Sequence, residues 1–259
     1  MMYPDRRRFG GAALGAALAG LAATPVLARP RRIEAVAFDA LAILDPHSIT
    51  VLAEKLFPGR GVGLAEAWKT RQFEYAWLAT LADRYQDFWT VTDRALGVAA
   101  RSAGVKLTGE QYDRLMGAWL ELKPWPDVQP VLSTLKAGGV RLGLVSNLTT
   151  AMLRTNLGRS DLTALYDEVL STDAARAYKP DPRAYHLAVQ AFRAPRESIA
   201  FVAFAGWDAY GAKAYGFPTY WANRTGAPAE DFGADADATA RDLSGLPAFV
   251  GLTPGPARS

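Results

Sequence analysis

IEAVAFDALAIL, running from Ile33 to Leu44, decides the fold. Its first six residues form a short apolar run bounded by charge, consistent with a buried strand, and Asp39 follows that run directly. From Leu44 to Gly139 the next hundred or so residues are almost all helical in pattern. Only then does a second apolar run arrive, Val140–Val145 (VRLGLV), followed by Ile199–Phe204 (IAFVAF) and Pro218–Ala222 (PTYWA), with a weaker run at Glu168–Leu170. Helix-like stretches lie between them at Asp127–Ala137, Thr149–Leu157, Pro182–Phe192 and Trp207–Tyr215. Strands alternating with helices of this length predict an α/β fold, a doubly wound parallel sheet covered on both faces. The long helical stretch after the first strand predicts a cap domain inserted over the sheet's carboxyl edge.

Within that insertion, apolar residues repeat at spacings of three and four over Ala65–Leu81, Trp89–Ala103 and Glu110–Leu122. The expected organisation is a core domain of residues 31–44 and 124–226, a helical cap domain of residues 45–123, and a tail of residues 227–259. That tail is rich in Gly, Ala, Pro and Asp and reads as loop.

Four strand ends carry chemistry. Asp39 follows the first strand and Ser146-Asn147 the second. Lys179-Pro180-Asp181 precedes a helix, and Trp207-Asp208 follows another strand. Each has an ordinary reading alone: Asp as a helix cap, Ser-Asn as a turn, Lys-Pro as a surface dipeptide. Their joint placement at one sheet edge, where open parallel sheets bind ligands, points to a site.

Composition narrows the field. The chain has 259 residues, half of them hydrophobic, which suits one domain or two modest ones. It has no Cys, so thiol catalysis, disulfides and thiolate metal sites are excluded. His47 and His186, its two histidines, have neither a metal-binding spacing nor a recognisable triad around them. Much of the formal charge of +3 is an end effect: residues 1–28 hold Arg6, Arg7 and Arg8 against Asp5, leaving 26 basic and 25 acidic residues beyond them. So balanced a body gives no charge argument for nucleic acid.

Residues 1–28 read as an export signal. Asp5-Arg6-Arg7-Arg8-Phe9 precedes an uncharged stretch of Gly, Ala and Leu up to Ala23, and charge returns at Arg29. A basic start, an apolar middle and a small residue before the cut are the three parts of such a signal. The arginines before a weakly apolar stretch resemble a twin-arginine signal. The expectation is cleavage after Ala28, a periplasmic location, and no membrane association of the mature chain.

The motifs FDALAIL, SN, YKPD and GWDAYGAKAYGFPTYWANR together resemble the haloacid dehalogenase superfamily. More closely, the chain is similar to the (S)-2-haloacid dehalogenases, whose first motif is FDxYGTL. The resemblance spans about Arg31 to Gly226 and includes the cap stretches AWKTRQFEYAWL and RYQDFW. Phosphatases of the superfamily carry a second Asp two residues after the nucleophile. Here that residue is Leu41, which can neither donate a proton nor ligate a hard cation, so no metal or cofactor is expected.

What the resemblance implies is displacement at carbon. Asp39 would attack the halogen-bearing carbon of a small 2-haloacid, expel halide and form an ester, which water then hydrolyses. Lys179 would keep Asp39 ionised, and Asp208 would hold Lys179 or help activate the water. Ser146, Asn147, Lys69, Tyr185 and Trp207 would bind the substrate. Related enzymes are often dimers, and the uncharged aromatic cap stretches offer a face for one.

The departures from the family pattern fall in the site. Ile43 replaces the threonine of FDxYGTL, and Leu148 replaces the glycine after Ser-Asn. Lys69 stands where an arginine is expected, while Arg71 lies about 200° round the helix. AFAGWD replaces SSNAWD, so Ala203 and Ala205 lack the serine hydroxyl and the asparagine amide. Three outcomes stay open: an altered or slow dehalogenase, one that stalls at the ester, or a binding protein for small carboxylates on the same fold.

Overall fold

The structure, a computed structural model, describes residues 32–252, so the export-signal reading of residues 1–28 lies outside the described residues. The chain opens with β1 (Ala35–Phe38), α1 (Ala40–Ile43) and β2 (Leu44–Asp45). Four helices follow: α2 (His47–Leu56), α3 (Gly61–Leu81), α4 (Phe88–Ser102) and α5 (Gly109–Ala118). Then come β3 (Lys123–Pro124), α6 (Val128–Ala137), β4 (Arg141–Ser146), α7 (Thr150–Arg159) and β5 (Glu168–Ser171). The last part holds α8 (Pro182–Phe192), β6 (Ile199–Ala203), α9 (Gly206–Tyr215), β7 (Thr219–Ala222), β8 (Ala238–Ala240) and α10 (Leu246–Phe249).

Six of the strands make one parallel sheet in the order β5-β4-β1-β6-β7-β8. Every residue of β1 and of β6 is buried, as expected for central parallel strands with helices on both faces. The chain builds outward from β1 in one direction through β4 and β5, then in the other through β6, β7 and β8. The reversal beside β1 is a topological switch point, and it leaves a crevice at the strand carboxyl ends. Asp39 and the β6–α9 turn both open onto it.

The helical insertion is closed at its base by β2 and β3, which pair antiparallel, Leu44 against Pro124 and Asp45 against Lys123. α3 crosses α2 so closely at Gly61 that a side chain there would collide with the backbone of Ala53 and Glu54. α4 starts on Asp87, whose carboxylate accepts from the Thr90 N–H, and α5 starts on a capping box of Thr108 and Gln111.

Three elements depart from the sequence reading. α2 falls within the stretch read as helical but is not singled out there as an element. α5 ends at Ala118 rather than near Leu122, because the Asn156 side chain takes over the backbone there. Its Nδ2 donates to the Trp119 carbonyl at 2.9 Å and its Oδ1 accepts from the Leu122 N–H at 2.8 Å. The tail, expected to be loop, contributes β8 to the edge of the sheet and buries Leu243 and Leu246 in the core. Ala-Thr-Ala is too short and too weakly apolar to announce itself, and its pairing with β7 is what makes it a strand.

Candidate active site

Asp39 sits one residue beyond β1, where its N–H donates to the Val202 carbonyl of β6 at 2.8 Å. Its carboxylate is then held twice. Oδ1 accepts from Lys179 Nζ at 2.8 Å, and Oδ2 accepts from the Leu41 N–H at 3.1 Å, which also caps α1.

Lys179 is fully buried and stands between two carboxylates, its Nζ also 2.7 Å from Asp208 Oδ2. The Tyr185 hydroxyl donates to the other oxygen, Asp208 Oδ1, at 2.7 Å. Burial works against the charge on Lys179, but the carboxylates of Asp208 and Asp39 outweigh it and raise its pKa. For Asp208, burial is the largest influence and the nearby charge of Asp39 adds to it. The Lys179 ammonium opposes them, and the net result is a pKa raised to about 6. Burial also pushes the Tyr185 hydroxyl well above its ordinary value, so it stays a donor.

The backbone that presents these groups is tightly set. Lys179 N–H donates to Asn147 Oδ1 at 3.1 Å, tying the loop before α8 to the end of β4. Gly211 lets α9 approach: a Cβ there would stand 2.6 Å from Pro180 Cβ and closer still to the Tyr185 hydroxyl. The insertion reaches the same loop, where Trp77 Nε1 donates to the Lys179 carbonyl at 3.2 Å.

A cavity of about 430 Å³ lies over Asp39. Of the residues expected at the site, Asp39, Asp208, Ser146, Asn147, Lys69 and Trp207 line it. Lys69 is exposed at the cap side, whereas Arg71 is paired with Glu74 at 2.7 Å and is not part of the wall. Trp207 packs against Phe73 and Trp77 of α3, with ring centroids 5.2 and 5.6 Å away. Ser146 Oγ accepts from the Leu148 N–H at 3.2 Å, which leaves its own proton available.

Tyr185 requires correction. It was expected to bind substrate, but it is fully buried, is not part of the wall, and spends its hydroxyl on Asp208. Its place on the inward face of α8, against Phe201 and Phe217, turns it toward the sheet rather than the cavity. It positions Asp208 instead.

Among the departures, Ala205 and Leu148 face the cavity, while Ile43 is part of the core and Ala203 is buried within β6. Sequence reading missed several wall residues: Phe73, Phe88, Trp119 and Trp125, together with His47 at the start of α2. It also missed Thr225, Ala227 and Glu230, which fold back over the β6–α9 turn. The aromatics carried no signal that separated a wall residue from a packing one. His186 is engaged with the Tyr215 hydroxyl at 2.9 Å and plays no part here. Among the described residues no group of His, Cys, Asp and Glu is arranged to hold a metal ion, and no helix is long and apolar enough to cross a membrane.

Known proteins are similar to this chain over most of its length. The family of haloacid dehalogenase-like hydrolases matches residues 19–216. The haloacetate dehalogenase H-2 of Moraxella sp. (strain B) is 38% identical over 210 residues, covering 81% of this chain and 94% of that protein. The (S)-2-haloacid dehalogenase of Pseudomonas sp. (strain YL) is 38% identical over 206 residues, covering 79% and 89%. A solved L-2-haloacid dehalogenase superposes with a TM-score of 0.83 at 39% identity, covering 85% of this chain and 99% of that one. Another, from Xanthobacter autotrophicus with chloropropionic acid covalently bound, gives 0.77 at 30% identity, covering 85% and 100%. A match over most of the sequence, and over nearly the whole of each relative, means that this chain belongs to the haloacid dehalogenase-like hydrolase family.

Proposed function

We propose that the protein is a hydrolytic dehalogenase that converts short 2-haloalkanoic acids to 2-hydroxy acids through an ester on Asp39. The observation that carries this reading is the Asp39 carboxylate in the cavity wall, paired with the Lys179 ammonium and aimed by the Leu41 N–H. A carboxylate is a weak nucleophile unless it is held and oriented, and this one is held by Lys179 and oriented by the Leu41 N–H. A carboxylate oxygen forms the new bond to the halogen-bearing carbon as the carbon–halogen bond breaks and halide departs with the electron pair. Water then adds to the aspartyl carbonyl carbon, the hydroxy acid leaves, and the carboxylate is restored.

The Leu41 N–H has a second use. Held against Asp39 Oδ2, it is a ready donor to the oxygen that becomes negative when water attacks the ester. Asp208, raised to about 6, is suited to accept a proton from that water, with Tyr185 fixing its orientation. Ser146, Asn147 and Lys69 supply donors for the substrate carboxylate. The relatives named dehalogenases favour turnover over the binding-protein reading.

The test is halide release from (S)-2-chloropropionate and bromoacetate without added metal, followed by intact mass on the same samples. Multiple turnovers support the reading. One equivalent of halide with an ester mass places the defect in the water step, and neither halide nor adduct overturns the proposal.

We propose further that residues 1–28 direct export by the twin-arginine route to the periplasm, on the strength of Arg6–Arg8 and the uncharged stretch after them. Replacing Arg6, Arg7 and Arg8 by Lys should retain the full-length chain in the cytoplasm. A homodimer is also proposed, supported by α3, where Leu78 and Leu81 are exposed. Light scattering on the purified protein reads its mass directly.

A further inference from the structure

The segment after β7 returns over the Asp39 cavity and brings Glu230 into its wall. That return is pinned on both sides of Glu230. Asn223, itself buried, donates from Nδ2 to the Ala227 carbonyl at 2.8 Å and accepts at Oδ1 from the Ala227 N–H at 2.9 Å. Farther on, the Phe232 ring meets Tyr210 of α9 edge to face, with centroids 5.3 Å apart. Between these anchors the Glu230 side chain lies across Gly206, the first residue of α9 and also part of the wall. A Cβ on Gly206 would stand 3.0 Å from Glu230 Oε1 and 3.2 Å from its Cγ, so the glycine makes room for the carboxylate. Ala205, just before it, gives α9 no side-chain cap, and a negative charge beside a helix N-terminus is favourable.

The charges around the cavity isolate Glu230 further. The other acidic and basic residues of the wall are Asp39, Asp45, Lys69 and Asp208, with His47 beside them. Asp39 and Asp208 are paired through Lys179, and Asp45 accepts from the His47 backbone N–H at 2.7 Å. Of these five charged side chains, only Lys69 and Glu230 have neither an ion pair nor a hydrogen bond among the described residues, and both are exposed. The wall therefore offers one uncommitted cation, sufficient for one carboxylate, and faces it with one uncommitted anion. A cavity of about 430 Å³ has room for acids longer than a haloacetate or a halopropionate, so volume alone does not select the substrate.

We infer that Glu230 is a specificity-determining residue, whose uncommitted carboxylate turns away 2-haloacids that carry a second carboxylate and so restricts the Asp39 site to monocarboxylates. The inference rests on the dehalogenase reading above for the class of substrate. Discrimination of this kind works by repulsion built against the wrong ligand, not by contacts to the right one.

The test compares kcat/KM for (S)-2-chloropropionate and (S)-2-chlorosuccinate in the unaltered protein, Glu230→Gln and Glu230→Lys. Glutamine keeps the size of the side chain and removes only its charge, so this variant decides. In it chlorosuccinate should gain roughly 10- to 100-fold on chloropropionate, and lysine should extend the gain. Raising the ionic strength should relax the discrimination of the unaltered protein and leave that of Glu230→Gln nearly unmoved, which a purely steric role would not produce.

A ratio that Glu230→Gln leaves unchanged or lowers overturns the inference. If the unaltered protein releases halide from neither acid, the dehalogenase reading fails, and Glu230 is judged by calorimetric titration of the same three proteins with propionate and succinate. Succinate binding that strengthens relative to propionate in Glu230→Gln supports the charge filter there. Succinate binding that is unchanged, weakened or absent in that variant overturns it.

Discussion

The two strand ends that meet at the switch point are equipped very differently. At the end of β1, both oxygens of Asp39 have donors, and the fully buried Lys179 behind it is bonded to two carboxylates. At the end of β6, Ala203, Phe204 and Ala205 put no side-chain donor or acceptor into the turn, and ionisable groups resume only with Asp208. The first end is built to make a nucleophile, so the first half-reaction is fully furnished. The second half-reaction depends on water placed by Asp208, by backbone and by whatever the tail brings near. That asymmetry sets the order of the consequences.

The largest expected effect is at the β1 end. Asp39→Asn should lower halide release by about 10⁴-fold or more, since Asp39 is the carboxylate that Lys179 and the Leu41 N–H hold at the cavity. An initial-rate assay checks it, and retained activity would break the comparison outright. Next is Lys179→Met, which leaves Asp39 and Asp208 facing each other without a cation. Breaking a buried pair in this way costs about 3–5 kcal/mol, so thermal unfolding should move well below that of the parent and activity should vanish with it.

The β6 end should respond in the opposite sense. Ala205→Asn restores an amide beside the ester, and a positioned donor is worth about 10²–10³ in rate. Steady-state turnover should therefore rise by up to about 10²-fold while single-turnover halide release stays unchanged. If both rise together, the two ends are not separable and the contrast is wrong.

The smallest effects concern protons. Asp208 is raised to about 6, so below that pH the carboxylate pair around Lys179 takes up a proton, and activity should fall as pH falls through about 6. Above it the rate should hold, because the raised pKa of Lys179 keeps the ammonium charged past its ordinary range. Tyr185→Phe removes a hydrogen bond that lowers the Asp208 pKa, so the midpoint of the pH–rate profile should move upward. The same change leaves Asp208 Oδ1 buried without a donor and should lower stability by about 1–3 kcal/mol.

The sequence by itself determined the alternation of strands and helices, the long insertion after β1 and the residues at the strand ends. These follow from local pattern, since an unbroken apolar run must be covered on both faces and a residue just beyond it must emerge at the sheet edge. It did not determine which buried side chain faces which. Tyr185 was legible as a site residue, yet only packing on Phe201 and Phe217 turned it to Asp208 rather than to the cavity. Trp119 reads like any other aromatic of the insertion, yet its carbonyl is taken by the Asn156 amide and its indole N–H has no acceptor among the described residues. β8 exists because the edge of β7 offers it hydrogen bonds, and Glu230 reaches the cavity because the chain must return across the β6–α9 turn to get there. Periodicity is a property of neighbours in sequence, whereas hydrogen-bond satisfaction is a property of neighbours in space, and in this protein the chemistry is decided by the second.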